Sequence, residues 1–355
     1  MQIPDALKEL HRSLGARFDS SSSQVLGYSE LEKEYWALQE TCGLYDRSAR
    51  GKLRLSGSER VEYLHRMVTA DVQGLGEGRG AYTAILNAQG SIVADARILR
   101  RADELFLDVE PGLEGPVAQY LDRFIISEDV EIEDVTARFA LLSFVGPRAS
   151  EAVSSALGTS VPALSEHEVR VVEQDDLLLV GTRLAAAPGV DLFAAPERAR
   201  EIAEAALERF PELRAVGFEA VEVARVEAGV PRFGLELVET AQPLEAGLER
   251  AISFTKGCYV GQEAIARAAY RGATRRKLAG LSFEEGALPE PGFKLFGQRG
   301  AAKAAAEITS AVRSPRFGLI GLGLVRREHL APGTELVAED GRKARVRSLP
   351  FAQAS

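Results

Sequence analysis

Residues 81–109 read AYTAILNAQGSIVADARILRRADELFLDV, in which apolar runs alternate with short polar turns. The apolar runs cover residues 81–86, 91–99 and 105–109. Each run has the length of a strand, and the turns at 87–90 and 101–104 are short enough to join antiparallel neighbours. The segment therefore predicts a meander of three antiparallel strands.

Helical spacing of apolar residues occurs on both sides of this meander. It covers residues 3–16, 30–42, 59–68, 113–126, 197–209 and 219–228. Further strand-like runs lie at residues 52–55, 139–145, 169–172 and 177–182. A chain that mixes helices with antiparallel strands in this way is typical of the α+β class.

After Arg276 the helical periodicity disappears, and short apolar runs recur between glycines and prolines. These runs cover residues 277–283, 305–312, 318–325, 335–337 and 344–349. They predict a small β-barrel or sandwich over residues 276–355. We expect the main domain to cover residues 29–272, preceded at 1–28 by a helix and a serine-rich mobile arm at 19–23.

Composition limits the classes of function. The net charge is −9 and the pI about 5.3, so the surface repels phosphate backbones and general nucleic-acid binding is not expected. Two cysteines are too few for a disulfide framework, and no apolar run approaches the roughly 18 residues of a membrane span, which together predict a cytoplasmic protein without membrane insertion. The four histidines lack metal-ligand spacing, and no GxxxxGK, HExxH or CxxC motif occurs, so we predict no metal site.

One cysteine lies in a segment whose residues could make it reactive, FTKGCYVGQE at residues 254–263. A helix that starts at position 261 or 262 would point free N–H groups towards Cys258, and with Lys256 would favour the thiolate. The alternative is that Cys258 is simply a small buried apolar residue, as free cysteines often are. For Cys42, at an apolar helix end, buried packing is the interpretation we predict.

The segment KGCYVGQE at residues 256–263 resembles the signature of the YgfZ family. Its neighbours VEAGVPRFG at 226–234 and PLEAGLERAISF at 243–254 are similar to the same proteins, and the resemblance extends roughly from Leu31 to Leu349. It implies the fold of the related T-protein of the glycine cleavage system, GcvT. That fold has two interlocked ferredoxin-like subdomains around a central folate site, then a small C-terminal β-barrel, with tetrahydrofolate or another reduced folate as cofactor.

The resemblance assigns Asp191 as the acid that binds the pterin, whose ring N–H and amino group a carboxylate can accept in parallel. It assigns Arg225 as a polar clamp on the same folate. The alternatives are a surface aspartate on a strand or turn, and an ion pair of Arg225 with Glu222 or Glu227.

The resemblance also places Asp95 beside the reactive nitrogens of folate, where a carboxylate can steer or receive a proton. The alternative is a half-exposed and inert aspartate in a strand. Tyr82 and Asn87, on the adjacent strand and turn, are expected to line the same cavity. Lys256 is expected to assist cofactor binding, and Cys258 and Asp95 are the predicted catalytic residues.

Three functions remain open. The first is a tetrahydrofolate-binding accessory protein for iron–sulfur cluster assembly or repair and for cluster-dependent enzymes, including tRNA-modifying ones, with Cys258 as the working residue and these enzymes as partners. The alternative is a folate-dependent aminomethyltransferase, which Asp95 favours; the cysteine, which T-protein lacks at the corresponding position, speaks against it. The third is a scaffold on the same fold that binds no folate.

Overall fold

The structure, a computed structural model, describes residues 3–20, 24–172, 177–184, 187–270, 274–284 and 286–351. Residues 21–23 of the predicted mobile arm and residues 271–273 beside the predicted domain boundary lie outside this description. The helices are α1 (Asp5–Ser13), α2 (Leu31–Glu40), α3 (Arg60–Met67), α4 (Glu114–Asp122), α5 (Ala149–Leu157), α6 (Pro196–Arg209), α7 (Phe218–Ala228) and α8 (Gln262–Tyr270).

The strands are interspersed with these helices up to α8 and then follow one another without a further α-helix in the described residues. They are β1 (Arg17–Phe18), β2 (Val25–Gly27), β3 (Cys42–Asp46), β4 (Gly51–Ser56), β5 (Gly80–Leu86), β6 (Ile92–Arg100), β7 (Leu105–Val109), β8 (Glu131–Asp134), β9 (Ala140–Val145), β10 (Val169–Val172), β11 (Leu177–Leu184), β12 (Ala187–Ala194), β13 (Leu213–Ala215), β14 (Arg276–Phe283), β15 (Lys294–Leu295), β16 (Ala306–Ser314), β17 (Gly318–Arg326), β18 (Glu335–Val337) and β19 (Lys343–Arg347).

Most strands belong to three large sheets. A five-stranded sheet has the order β5-β6-β7-β4-β8, and its first three members are the predicted meander. A six-stranded sheet has the order β10-β11-β12-β9-β3-β13, in which the β3–β13 pair is parallel. A second six-stranded sheet, β15-β16-β17-β14-β19-β18, follows at the C-terminus. The α+β class predicted from the sequence is confirmed.

The chain forms two compact units, each made of two separate segments. Unit 1 contains Met1–Thr83 and Ala96–Val221, and unit 2 contains Ala84–Asp95 and Glu222–Ser355. The hairpin of β5 and β6 therefore contributes its turn to unit 2 and the far ends of its strands to unit 1.

In unit 1 the first six-stranded sheet is buried on both faces. Side chains alternate along a strand, so Val190 and Leu192 of β12 face the apolar cluster that contains residues of α5 and α6. Phe193 faces the opposite way and packs with Leu99 and Phe106 of the five-stranded sheet. Asp191 shares the face of Phe193, which directs its carboxylate to the layer between the two sheets.

In unit 2 the C-terminal sheet curls into a nearly closed barrel. Phe296, next to β15, and Val337 of β18 exchange two backbone hydrogen bonds of 2.8 and 2.9 Å, which join the two ends of the sheet. Inside lie buried apolar side chains, among them Leu281, Leu295 and Ile308. This junction pairs part of the strand edges that an open sheet would expose. The predicted C-terminal barrel is confirmed.

Local patterns misled the prediction near Cys42. The sequence predicts a helix over residues 30–42, whereas α2 ends at Glu40 and Cys42 begins β3. Leu213 pairs with Cys42 in the parallel β13–β3 ladder, and this long-range pairing overrides the helical pattern. Cys42 is fully buried, which confirms its predicted packing role.

Candidate functional site

The cysteine segment of unit 2 stands at the surface. Cys258 is exposed, so the interpretation of this residue as a buried apolar side chain is wrong. The helix α8 begins at Gln262, whose backbone N–H donates to the carbonyl oxygen of Tyr259 at 3.1 Å. The Lys256 ammonium lies 4.9 Å from the centroid of the Tyr259 ring, a cation–π distance. Cys258 thus lies between an anchored lysine and the start of a helix.

The turn between β5 and β6 is shaped by the side chain of Asn87. Its Oδ1 accepts the backbone N–H groups of Gln89 and Ser91, at 3.0 and 2.9 Å. The backbone N–H of Asn87 donates to the carbonyl oxygen of Ser91 at 3.0 Å and closes the turn. Asn87 therefore holds the turn rigid, and its predicted contact with folate stays a prediction, as does that of Tyr82 on β5 in unit 1.

This turn packs closely against the beginning of α8. A Cβ atom on Gly90 would lie 2.4 Å from Cβ of Ala264, and a Cβ atom on Gly261 would lie 2.7 Å from the carbonyl oxygen of Asn87. Real Cβ atoms do not come this close to other heavy atoms. Gly90, Gly261 and Ala264 form what we call the turn–helix contact, which brings the Asn87 turn and the cysteine segment together.

A cavity of about 230 Å³ lies beside the turn–helix contact within unit 2. The turn lines one side through residues 89–91, and α8 lines another through Ala264, Ile265 and Ala268. Residues 239–244, which include Glu239, complete the wall. The cavity is smaller than the roughly 300–1,000 Å³ of pockets that hold drug-sized ligands, so a small molecule or one end of a larger one could enter it.

Asp95 lies on β6, shortly after this turn. It is 7% exposed, so the alternative of a half-exposed aspartate is wrong. A carboxylate shielded from water in this way interacts more strongly with nearby charge than one at the surface. Its predicted role beside the reactive nitrogens of folate stays a prediction.

Arg225 of α7 is the centre of a polar network within unit 2. Its guanidinium donates two hydrogen bonds to Glu222, of 2.9 and 2.7 Å, and one to Glu236, of 3.1 Å. Further bonds of 2.6 Å reach the carbonyl oxygen of Val230 and the hydroxyl of Ser310 on β16. The ion pair with Glu222 is thus present, and the network ties α7 to the barrel. The role of Arg225 at a folate stays a prediction.

Asp191 of unit 1 is fully buried, so the alternative of a surface aspartate is wrong. One carboxylate oxygen accepts the hydroxyl of Ser143 at 2.6 Å. The other faces the guanidinium groups of Arg97 and Arg47, at 2.6 and 3.1 Å. Both oxygens are therefore engaged within unit 1, and because the side chain is fully buried, a pterin could reach this acid only if neighbouring residues moved.

Asp191 belongs to a set of charged side chains between the two sheets of unit 1, each no more than 11% exposed, which we call the charged layer. Its members are Arg47, Arg50, Lys52, Arg97, Asp108 and Asp191. Burial alone would raise the pKa of the Asp108 carboxyl, but the charges of Arg50, Arg97 and Arg47 hold that pKa well below its usual range. The Lys52 ammonium donates to the carbonyl oxygens of Ser48 and Arg50, at 2.9 and 2.8 Å, and burial lowers its pKa to about 8.

Sequence reasoning missed every member of the charged layer except Asp191. A signal was present, because Arg97 and Asp108 are charged residues inside apolar strand runs. They are cross-strand partners in the β6–β7 register, and Lys52 is the partner of Asp108 in the β4–β7 register. Charged residues inside such runs can be tolerated only when they pair.

The model of the GCVT N-terminal domain family matches residues 8–256. The chain belongs to this family. Relatives of this GCVT-family protein include aminomethyltransferases from Saccharopolyspora erythraea and Rubrobacter xylanophilus. The first is 29% identical over 97% of this chain and 96% of the relative, and the second 30% identical over 97% and 93%. An aminomethyltransferase from Bacillus subtilis is 28% identical over 91% of both chains.

The fold of this GCVT-family protein matches a solved relative. The crystal structure of glycine cleavage system aminomethyltransferase T from Bartonella henselae gives a TM-score of 0.90, with 23% identity, over 98% of this chain and 97% of that chain. The predicted GcvT fold is confirmed. The names of these relatives support the GcvT side of the resemblance, and the YgfZ-type assignment stays a prediction.

Two further observations bear on membranes and metals. Within the described ranges, no helix combines the length and the apolarity that crossing a bilayer requires. Among the same residues, no group of three or more histidine, cysteine, aspartate or glutamate side chains is placed to hold a metal ion.

Proposed function

We propose that this GCVT-family protein is a folate-dependent aminomethyltransferase. The observation that carries the proposal is the extent of the likeness, since proteins named aminomethyltransferase match 97% of this chain. The match includes the cysteine segment and the barrel, so the chain contains counterparts of nearly every segment of those proteins. The buried carboxylate of Asp95 adds a group suited to the chemistry.

In this reaction a carrier holds an aminomethyl group through a thioether bond. Tetrahydrofolate is the acceptor and would bind the carbon of that group between its two reactive nitrogens. Ammonia and the free thiol of the carrier are released. The two N–H protons of the acceptor go to these products, so no oxidant is required. The task of the protein is to align the reactants and to move protons. Asp95 fits that task, because a shielded carboxylate can take a proton from one group and return it to another.

The other predicted folate residues enter this proposal with different support. Arg225 is buried and held by Glu222 and Glu236, so it can present only a fixed face to a ligand. The carboxylate of Asp191 is already engaged by Ser143, Arg47 and Arg97. We therefore place more weight on Asp95 than on Asp191.

The test is to incubate the protein with tetrahydrofolate and an aminomethylated lipoyl carrier and to measure methylenetetrahydrofolate. We expect the wild-type protein to form it, and Asp95→Asn to lower kcat by at least about 100-fold, because removal of a general acid or base costs roughly 10²–10⁴-fold. The matched control is Asp103→Asn, at an exposed turn, which should retain the wild-type rate. A wild-type protein that forms no methylenetetrahydrofolate contradicts the proposal.

A second candidate is the accessory protein for iron–sulfur enzymes and cluster-dependent tRNA modification. The observation in its favour is the exposure of Cys258, since an accessible cysteine can bind a metal species or form a mixed disulfide. The names of the relatives give it no support. A Cys258→Ala variant that still binds a reduced folate and fully restores cluster-dependent enzymes in a deletion strain would overturn it.

A further inference from the structure

The turn–helix contact of unit 2 depends on the absence of two side chains. A Cβ on Gly90 would meet Cβ of Ala264 at 2.4 Å, while its next neighbours, the Gly261 carbonyl oxygen and Ala264 Cα, lie at 3.6 and 3.8 Å. A Cβ on Gly261 would meet the Asn87 carbonyl oxygen at 2.7 Å and Leu86 Cβ at 2.9 Å. Gly90, in the turn, thus packs against α8, and Gly261, just before α8, packs against the turn.

The backbone conformation makes the same demand. Gly90 has φ +81° and Gly261 has φ +82°, in the left-handed region where a residue with Cβ is strained. The turn cannot relax easily, because Asn87 Oδ1 holds the N–H groups of Gln89 and Ser91. A side chain at either glycine would therefore displace the turn from α8 as one body.

The turn leads directly into the strand that carries Asp95. The strand β6 begins at Ile92, and its pairing with neighbours makes it a stiff connection from the turn to Asp95. The residues just before Gly261 form the segment that carries Cys258. A displacement of the turn relative to α8 is therefore a displacement of Asp95 relative to that segment.

We infer that Gly90 and Gly261 are positioning residues, which lock the β5–β6 turn onto α8 and so fix Asp95 relative to the cysteine segment. The inference rests on the proposed function for its kinetic consequence. A reacting group misplaced by about 1 Å can cost roughly 100-fold in rate. We expect Gly90→Ala to lower kcat by at least about tenfold, with a smaller effect on KM for tetrahydrofolate.

The chain offers a rescue and a matched control. Ala264→Gly removes the one atom that Cβ of Gly90→Ala would strike, so the double variant Gly90→Ala/Ala264→Gly should regain most of the lost kcat. Gly234 has φ +84°, and a Cβ atom on it would have no neighbour within 4 Å, so Gly234→Ala carries the strain of the backbone without the collision. Gly234→Ala should keep kcat within about twofold of the wild type.

A second measurement does not depend on transferase activity. The alkylation rate of Cys258 is a readout of the segment just before α8, because the reactivity of a thiol depends on its exposure and on the groups around it. We expect Gly90→Ala to change this rate by at least roughly threefold and the Ala264→Gly exchange to reverse the change. All rates are measured well below the thermal midpoint of each variant, so that unfolding does not contribute.

The outcomes separate the two proposals. If the wild type forms no methylenetetrahydrofolate, the proposed function fails and the Cys258 alkylation rates alone decide the inference. If the wild type is active but Gly90→Ala lowers only the thermal midpoint, with kcat and alkylation unchanged, the inference is overturned and the proposed function stands. A loss that Ala264→Gly does not reverse, or that Gly234→Ala matches, also overturns it.

Discussion

The charged layer of unit 1 and the turn–helix contact of unit 2 hold their parts of the chain by opposite means. The charged layer positions Asp191 by surrounding it with donors, two of which are the guanidinium groups of Arg97 and Arg47. The turn–helix contact positions the Asn87 turn by omitting side chains at Gly90 and Gly261. Removal of a charged partner should therefore destabilise unit 1, whereas addition of a side-chain atom at Gly90 or Gly261 should destabilise unit 2.

This difference also bears on function. In the charged layer the carboxylates of Asp108 and Asp191 are engaged by arginines, and the Lys52 ammonium by backbone carbonyl oxygens, which suits a structural layer that resists rearrangement. In unit 2 the turn–helix contact lies beside a cavity and an exposed thiol. A change in its geometry can therefore be followed through ligand binding or through the reaction of the thiol with a reagent. Four experiments test the contrast.

The largest expected effect is that of Arg97→Met. It leaves Asp191 and Asp108 with less compensation for their buried charge, so we expect the free energy of unfolding to fall by about 3–5 kcal/mol. Urea denaturation at pH 7 measures it. The control is Arg170→Met, since Arg170 is 47% exposed and pairs with Glu168, and should cost less than about 1 kcal/mol. Equal losses for the two variants would show that paired charge does not hold the layer.

The next effect is that of Gly261→Ala, which adds an atom to the turn–helix contact. The collision with Asn87 and Leu86 and the positive φ together should lower the free energy of unfolding by roughly 2–3 kcal/mol. Gly234 also has a positive φ, but a Cβ atom on it would have no neighbour within 4 Å. Gly234→Ala should therefore lower the free energy of unfolding by only about 1 kcal/mol. A Gly261→Ala variant as stable as Gly234→Ala would mean that the contact is loose.

The pH dependence of unit 1 provides a third test. The pKa of Lys52 falls from 10.5 in the unfolded chain to about 8 in the folded protein because of burial, so between these values the unfolded state binds more protons. The loss of stability caused by burying the charge of Lys52 is fully present below pH 8 and disappears as the pH rises. Relative to Lys52→Met, the wild type should therefore gain about 2 kcal/mol of stability between pH 8 and pH 10. Parallel stability curves for the two proteins would contradict the assignment.

The smallest expected effect on stability is that of Cys258→Ser. Thiol labelling distinguishes this cysteine from Cys42. Burial raises the pKa of the Cys42 thiol to about 12, whereas Cys258 is exposed. A native sample treated with a maleimide at pH 7.5 should lose one thiol quickly and the second only as the protein unfolds. Cys258→Ser should change the free energy of unfolding by no more than about 0.5 kcal/mol. Rapid modification of both thiols, or of neither, would show that the surroundings of the two cysteines are not as described.

Elements with local signals were predictable from the sequence. The meander β5-β6-β7 follows from strand-length runs joined by short turns, and the barrel strands follow from runs between glycines and prolines. The strand β12 was missed, although it carries Asp191. The helix expected through Cys42 was wrong, because the β13–β3 pairing involves a segment far away in the sequence.

The candidate site was predictable only in part. The motif around Cys258 and the likeness to GcvT were visible in the residues themselves, and the position of Asp95 on a strand followed from the meander. The donors to Asp191 were not visible, because Arg47, Ser143 and Arg97 come from separate segments of the chain. The cavity beside α8 was equally hidden, since its walls come from three separate segments.

The sequence alone determined the α+β class, the C-terminal barrel, the acidic net charge and a cysteine motif ahead of a helix, because each of these depends on neighbours along the chain. Only the tertiary structure decided that Asp191 is enclosed by arginines, that Cys258 is exposed and that Gly90 touches the start of α8. The physical reason is that burial, ion pairing and close backbone approach depend on atoms that distant segments supply.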